Sequence, residues 1–157
     1  EGILVSGVAY DKNEAKIAVL GVPDRPGIAA KILTALSDAA ISVDMIVQNV
    51  SHAGTTDFTF NVTKANLKQA LLITNEKAKS IEAAEVQSDE NIAKISIVGL
   101  GMRSHAGVAT RMFTVLAANN INIQMISTSE IKVSVVIDEK YTELAVRLLH
   151  SEFGLDG

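Results

Sequence analysis

PDRPGIAAKILTALSDAAISVDMIVQNV, from Pro23 to Val50, recurs as RSHAGVATRMFTVLAANNINIQMISTSE, from Arg103 to Glu130. Gly27 aligns with Gly107, 80 positions on, and the same shift superposes Ala29 on Ala109, Leu36 on Leu116, Ile41 on Ile121, Met45 on Met125 and Ile46 on Ile126. A unit this long that occurs only twice describes two small domains of one fold rather than a solenoid array. What recurs is a loop, a helix and a strand. Matched modules without an obvious reactive group point to a binding and regulatory part.

Working outward from the repeat, Ala15–Val22 is β-rich and runs into the turn Pro23-Asp24-Arg25-Pro26-Gly27, which holds both prolines of the chain. Ile28, Ala29, Ile32, Leu33, Leu36 and Ala40 then recur at helical spacing, which predicts one buried face from about Gly27 to Ala40. Ile41, Val43, Met45 and Val47 alternate with polar residues as a half-buried strand does, and Thr55–Val62 alternates again with Phe58, Phe60 and Val62 on one face. Thr63 is placed to cap a second helix reaching about Glu76, and Ala83–Ser88 reads as a closing strand. The order β-α-β-β-α-β is the split βαβ of ferredoxin-like folds.

The second copy has its strands at Ala93–Leu100, Ile121–Ser127 and Glu130–Ile137, a helix at about Gly107–Ala118, and a last amphipathic helix carrying Tyr141, Leu144, Ala145, Leu148 and Leu149. It runs out of chain before its fourth strand, whereas a spare strand-like segment, Ile3–Tyr10, precedes the first copy. The fold class expected is therefore α+β: two ferredoxin-like βαββαβ modules, the first inserted in the second. Residues 11–90 form the first module, and residues 1–10 with 91–157 form the second, whose sheet the N-terminal strand completes.

Composition excludes several functions. At 157 residues and 48% hydrophobic, the chain buries a real core. Net charge is −4 with acids and bases interspersed, which leaves no basic stripe for nucleic acid, and four Phe, two Tyr and no Trp make a poor base-stacking platform. There is no cysteine, hence no disulfide, thiolate metal site or Cys nucleophile, as suits a reducing cytoplasm. No apolar run approaches the roughly 20 residues of a membrane span, and no signal peptide is visible. The chain starts at Glu1, as a processed product or a piece of something longer would.

Phosphate-loop, nucleophile-elbow and HExxH patterns are missing. Gly99-Leu100-Gly101 opens like a dinucleotide fingerprint, but Ser104 stands where its third glycine belongs. His52, His105 and His150 lack metal-ligand spacing. No catalytic residue, cofactor or metal is expected. The loops before the repeated helices are the better candidates. A tight turn ending at Gly27 leaves the next helix's first N–H groups free to bind a carboxylate. Asp24 beside it suits an ammonium group, and Gln48 and Asn49 end the following strand. Singly these residues have ordinary readings as a helix start, a turn and a solvated strand. Together they suit a zwitterion. Arg103-Ser104-His105-Ala106-Gly107 keeps the glycine of the first loop but lacks its acid and prolines.

The DRPG loop and helix, VDMIVQNVS, GTTDFTF, KISIVGLGMRSHAGV and above all NIQMISTSEIKVSVVI closely resemble the tandem ACT domains of aspartate kinases, across essentially the whole chain. The resemblance implies the regulatory half of such an enzyme, also made in some bacteria as a separate β subunit. A chain of this kind does not phosphorylate aspartate itself. It implies feedback control by threonine, lysine or both, association with a kinase catalytic subunit or domain, and a homodimer through the ACT modules. A non-sensing dimerisation scaffold is the alternative. Carried onto this sequence, the effector positions are Asp24, Arg25, Gly27, Ile28, Ala29, Gln48 and Asn49, closed by Asn122, Ile123 and Gln124 from the second module of a partner chain. Ser51, Thr56, Thr59 and Ser129 match polar positions around that interface, and His105 and Val108 its partner side.

Overall fold

The computed structural model describes residues 5–50, 54–99 and 106–155. In chain order the elements are β1 (Val5–Asp11), β2 (Glu14–Pro23), α1 (Ile28–Asp38), β3 (Asp44–Val50), β4 (Thr55–Thr63), α2 (Leu67–Ser80), β5 (Glu85–Asp89), β6 (Ile92–Gly99), α3 (Ala106–Ala118), β7 (Met125–Thr128), β8 (Lys132–Asp138) and α4 (Thr142–Glu152). They build two four-stranded antiparallel sheets, ordered β3-β4-β2-β5 and β1-β6-β8-β7. Each sheet carries two helices, which is the ferredoxin-like module read from the repeat.

Chain contacts divide the molecule into one unit of Asn13–Glu90 and another of Glu1–Lys12 with Asn91–Gly157. β1 pairs antiparallel with β6, Val8 opposite Ile97 and Asp11 opposite Lys94. It thus runs one residue beyond Tyr10.

In the unit 13–90 the core lies between the sheet and α1 and α2. Ile17, Val19, Phe58, Phe60 and Val62 face Ile28, Ile32 and Leu36 of α1 and Ala70 and Ala78 of α2. Every side chain of this size taken out of water contributes about 1.5–3 kcal/mol. The other unit repeats the arrangement with Ile95, Ile97, Val133, Val135 and Ile137 against Val108, Met112 and Leu116 of α3 and Ala145 and Leu149 of α4. Arg111 ties α3 to α4: its Nε donates to Glu152 Oε2 at 2.8 Å and its guanidinium stacks on Phe153, 4.5 Å from the ring centroid.

The four α-helices among the described residues stop in the same way. Ala40, Glu82, Asn120 and Gly154 take left-handed φ of 61°, 62°, 59° and 69°. The next N–H reaches back five residues in each case, Ile41 to Leu36, Ala83 to Ala78, Ile121 to Leu116 and Leu155 to His150. This Schellman arrangement satisfies carbonyls that a helix end would otherwise leave bare. Thr63, expected as a cap, makes no side-chain capping bond; a single 3₁₀ turn at Lys64–Asn66 leads into α2 instead. The corresponding turn before α4 is capped by Asp138, which accepts from Lys140 N at 3.0 Å.

The strand predicted from Ile41 starts only at Asp44, because Ile41 is spent on the helix stop and Met45 takes a φ of 52°. Asp44 lies opposite Asn61 and Val47 opposite Thr59, so β3 spends one residue more than β4 over this stretch. That bulge reverses the alternation read from sequence. Val47 joins the face away from the helices, and Gln48, opposite Phe58, joins the helix side.

Candidate functional site

A second bulge lies on the other side of β4, opposite Thr56–Phe58 where the first is opposite Thr59–Asn61. Val19 pairs with Phe58 and Val22 with Thr56, so β2 also carries one extra residue. The turn is made at Gly21, φ 63°, whose N–H donates to Asp57 Oδ1 at 2.9 Å. A Cβ at Gly21 would stand 2.8 Å from that of Ala84, so the site demands glycine for space as well as for φ. The two bulges set Val22 and Gln48 on either side of Thr56 and Phe58, all four on the helix side of the sheet.

These four residues wall a cavity of about 420 Å³ whose roof is the loop and first turn of α1: Asp24, Arg25, Pro26, Gly27, Ile28, Ala29 and Ala30, with Ile32 behind. The loop is held by Asp24 N donating to Gly54 O at 3.0 Å and Arg25 N to Pro23 O at 3.0 Å. Gly27 turns the chain into the helix with φ 83°, and with open space around its missing Cβ its conformation alone requires glycine. Ile28 N donates to Arg25 O at 3.3 Å, and α1 has no side-chain cap. The amides of Ala29 and Ala30, in the first turn, have no acceptor four residues back within the helix and face an opening that offers hydrogen-bond acceptors room. Thr56 is buried, and its hydroxyl donates to Asn49 O at 2.7 Å, leaving oxygen lone pairs toward the cavity wall.

The structure therefore brings Asp24, Arg25, Gly27, Ile28, Ala29, Gln48 and Thr56 to one cavity. Arg25 leans away to Glu82, Nη2 to Oε1 4.0 Å, an exposed pair of little energetic weight. Asn49 lies opposite Asp57 and Thr59 opposite Val47, on the far face of the sheet. Ser129 sits in the exposed β7–β8 turn, its N–H bonded to Lys132 O at 2.8 Å. Val108 is wholly buried in its own unit's core, so its side chain packs and does not line an open surface. Ser51 and His105 lie outside the described residues. Val22, Pro26, Ala30, Ile32 and Phe58 were not among the site residues expected; the Phe58 face was legible as core, but the bulges that open it to a cavity were not.

Asn122, Ile123 and Gln124 form the irregular lead into β7, with Asn122 and Gln124 exposed. Gln124 N donates to Val136 O at 2.8 Å, which carries the ladder one residue ahead of the strand. β7 is an edge strand of its sheet, as β3 is of the other. The repeat-related Ile46 and Ile126, on these two edges, are 50% and 47% exposed.

Among the described residues no cluster of His, Cys, Asp or Glu could hold a metal ion, and no helix is long and apolar enough to cross a membrane.

Two family models, each described as the ACT domain, match residues 16–75 and 95–153 respectively. The aspartokinase of Pseudomonas aeruginosa is 61% identical over 153 residues, covering 98% of this chain and 37% of that protein. The chain thus spans little more than a third of the length of the curated relatives it matches. A crystal structure of aspartokinase alpha and beta subunits matches with a TM-score of 0.91 at 59% identity, over 96% of this chain and 99% of that one. The ligand-free regulatory subunit of aspartate kinase from Thermus thermophilus matches with a TM-score of 0.92 at 40% identity, over 96% and 99% of the two chains.

Proposed function

The chain belongs to the aspartate kinase family as its tandem ACT-domain regulatory part, with no kinase domain among its 157 residues, and on that premise we propose that it is a feedback sensor for threonine, lysine or both. The observation that carries this reading is the convergence of Asp24, the uncapped first turn of α1 and Gln48 on one cavity. An amino acid needs all three. Its carboxylate accepts from the Ala29 and Ala30 amides, where the helix dipole favours negative charge. Its ammonium pairs with Asp24, its side chain lies against Val22 and Phe58, and Gln48 reads any polar group there.

We further propose that Asn122, Ile123 and Gln124 of a second copy close the opening, so that the effector is bound between copies. The matched edge strands with half-exposed Ile46 and Ile126 support such pairing. An effector bound better by one arrangement of the dimer than by another shifts the attached kinase by that difference, typically about 1–3 kcal/mol of coupling. The same edges also suit a scaffold that pairs kinase subunits without sensing anything.

Calorimetric titration with threonine, with lysine, and with each in the presence of the other separates the two readings. A sensor binds one of them saturably, and at 100 times the dissociation constant the ligand adds about 2.7 kcal/mol of stability. Asp24→Asn keeps the exposed turn and the fold but weakens that binding by about tenfold or more, as loss of a charged hydrogen bond does. Heat from neither amino acid overturns the sensor, and wild-type affinity in Asp24→Asn overturns the ammonium assignment.

A further inference from the structure

A second cavity, of about 290 Å³, lies in the other unit where α4 runs beside the end of β1. Its walls are Tyr10, Lys12, Glu143, Val146, Arg147 and His150. Tyr10 stands opposite Ile95, on the sheet face that the helices cover, yet it is 59% exposed. The strand end thus projects past α4 and leaves the ring as one side of a groove. Arg147 and His150, three residues apart on α4, share a helix face that meets this groove, and Lys12 approaches from the strand side.

The charges are not accounted for by structure. Among the described residues the side chains of Lys12, Arg147 and His150 make no hydrogen bond or ion pair, and Glu143, one helical turn before Arg147, does not pair with it. Nor does the fold itself require them. The 3₁₀ turns Lys64–Asn66 and Glu139–Tyr141 align the two last helices 75 positions apart, which puts Leu72 and Asn75 where Arg147 and His150 stand. The repeat preserves the helix and discards the guanidinium and the imidazole.

We propose that this groove is a binding site for a compact organic dianion, a phosphate monoester or a dicarboxylate. The Arg147 guanidinium offers the planar fork that phosphate and carboxylate oxygens accept from in pairs, and Lys12 and His150 add donors around the same group. Tyr10 and Val146 give the body of the ligand an apolar wall, while Glu143 accepts from a hydroxyl or amine on it. Lys12 is the last residue of this unit before the chain first passes into the other, so an occupied site holds the end of one of the two connections.

The test is titration of the whole 157-residue chain with inorganic phosphate and, separately, with succinate, followed by the ring resonances of Tyr10 and His150. The expected result is saturable movement of both rings with at least one probe. Phosphate alone marks the monoester as ligand, and succinate alone the dicarboxylate. Arg147→Gln and Lys12→Gln are exposed changes that keep the thermal midpoint, and each weakens binding about tenfold. Asp24→Asn leaves it unchanged, which keeps this site distinct from the amino-acid cavity. Shifts that never saturate with either probe, or wild-type affinity in both the Arg147 and Lys12 variants, overturn the proposal.

Discussion

Thr74 shows how the same side chain means different things by position. It lies on the buried face of α2, fully inside, and its hydroxyl has no hydrogen-bond partner among the described residues. An unsatisfied buried hydroxyl costs about 1–3 kcal/mol relative to water, and valine has nearly the same shape without that cost. Thr74→Val is expected to raise the free energy of unfolding by about 1 kcal/mol, read from the denaturation midpoint at unchanged slope. Thr56 is as deeply buried, but its hydroxyl is bonded to the Asn49 carbonyl and faces the cavity. There the same replacement removes a bond and costs stability. Residue type is the same at both; the partner tells them apart.

At the scale of elements, α1 and α4 were legible from their apolar spacing and α3 from the repeat, and Gly27 announced where the first one starts. Glu82 hid the stop of α2, expected at about Glu76 and found at Ser80, since the left-handed residue there is usually glycine. The bulges were harder still. Alternation along Ile41–Val47 assumes a regular ladder, and one extra residue at Met45 inverts it, which is why Gln48 rather than Val47 faces the helices. In β2 the signal was present in Gly21, a glycine inside a strand, which often marks a bulge. Gly21→Ala tests that element. Its φ and the 2.8 Å approach to Ala84 predict a loss of about 2–3 kcal/mol. Because the bulge also sets Val22 against the cavity, amino-acid binding should weaken in the same variant, measured by calorimetry below its unfolding temperature.

For the whole molecule, the repeat was the legible fact, and the two sheets follow it closely: paired edges, paired helix stops, paired cores. What the repeat could not carry is where its copies differ, in the acid of one first loop and the Arg147 and His150 side chains of one last helix. One consequence lies in time rather than in space. A ribosome delivers β1 before its partner β6, which comes only after Asn13–Glu90 has been made, with Val8 waiting for Ile97. The unit 13–90 has all of its strands in hand as soon as Glu90 emerges, whereas the other must close a loop across a finished neighbour. Pulse-labelled hydrogen exchange during refolding should therefore protect β2 and β4 amides before those of β1 and β6, and simultaneous protection would contradict it. Until β6 is made, β1 stands as an unclaimed strand edge, which exposes it to mispairing throughout the synthesis of Asn13–Glu90.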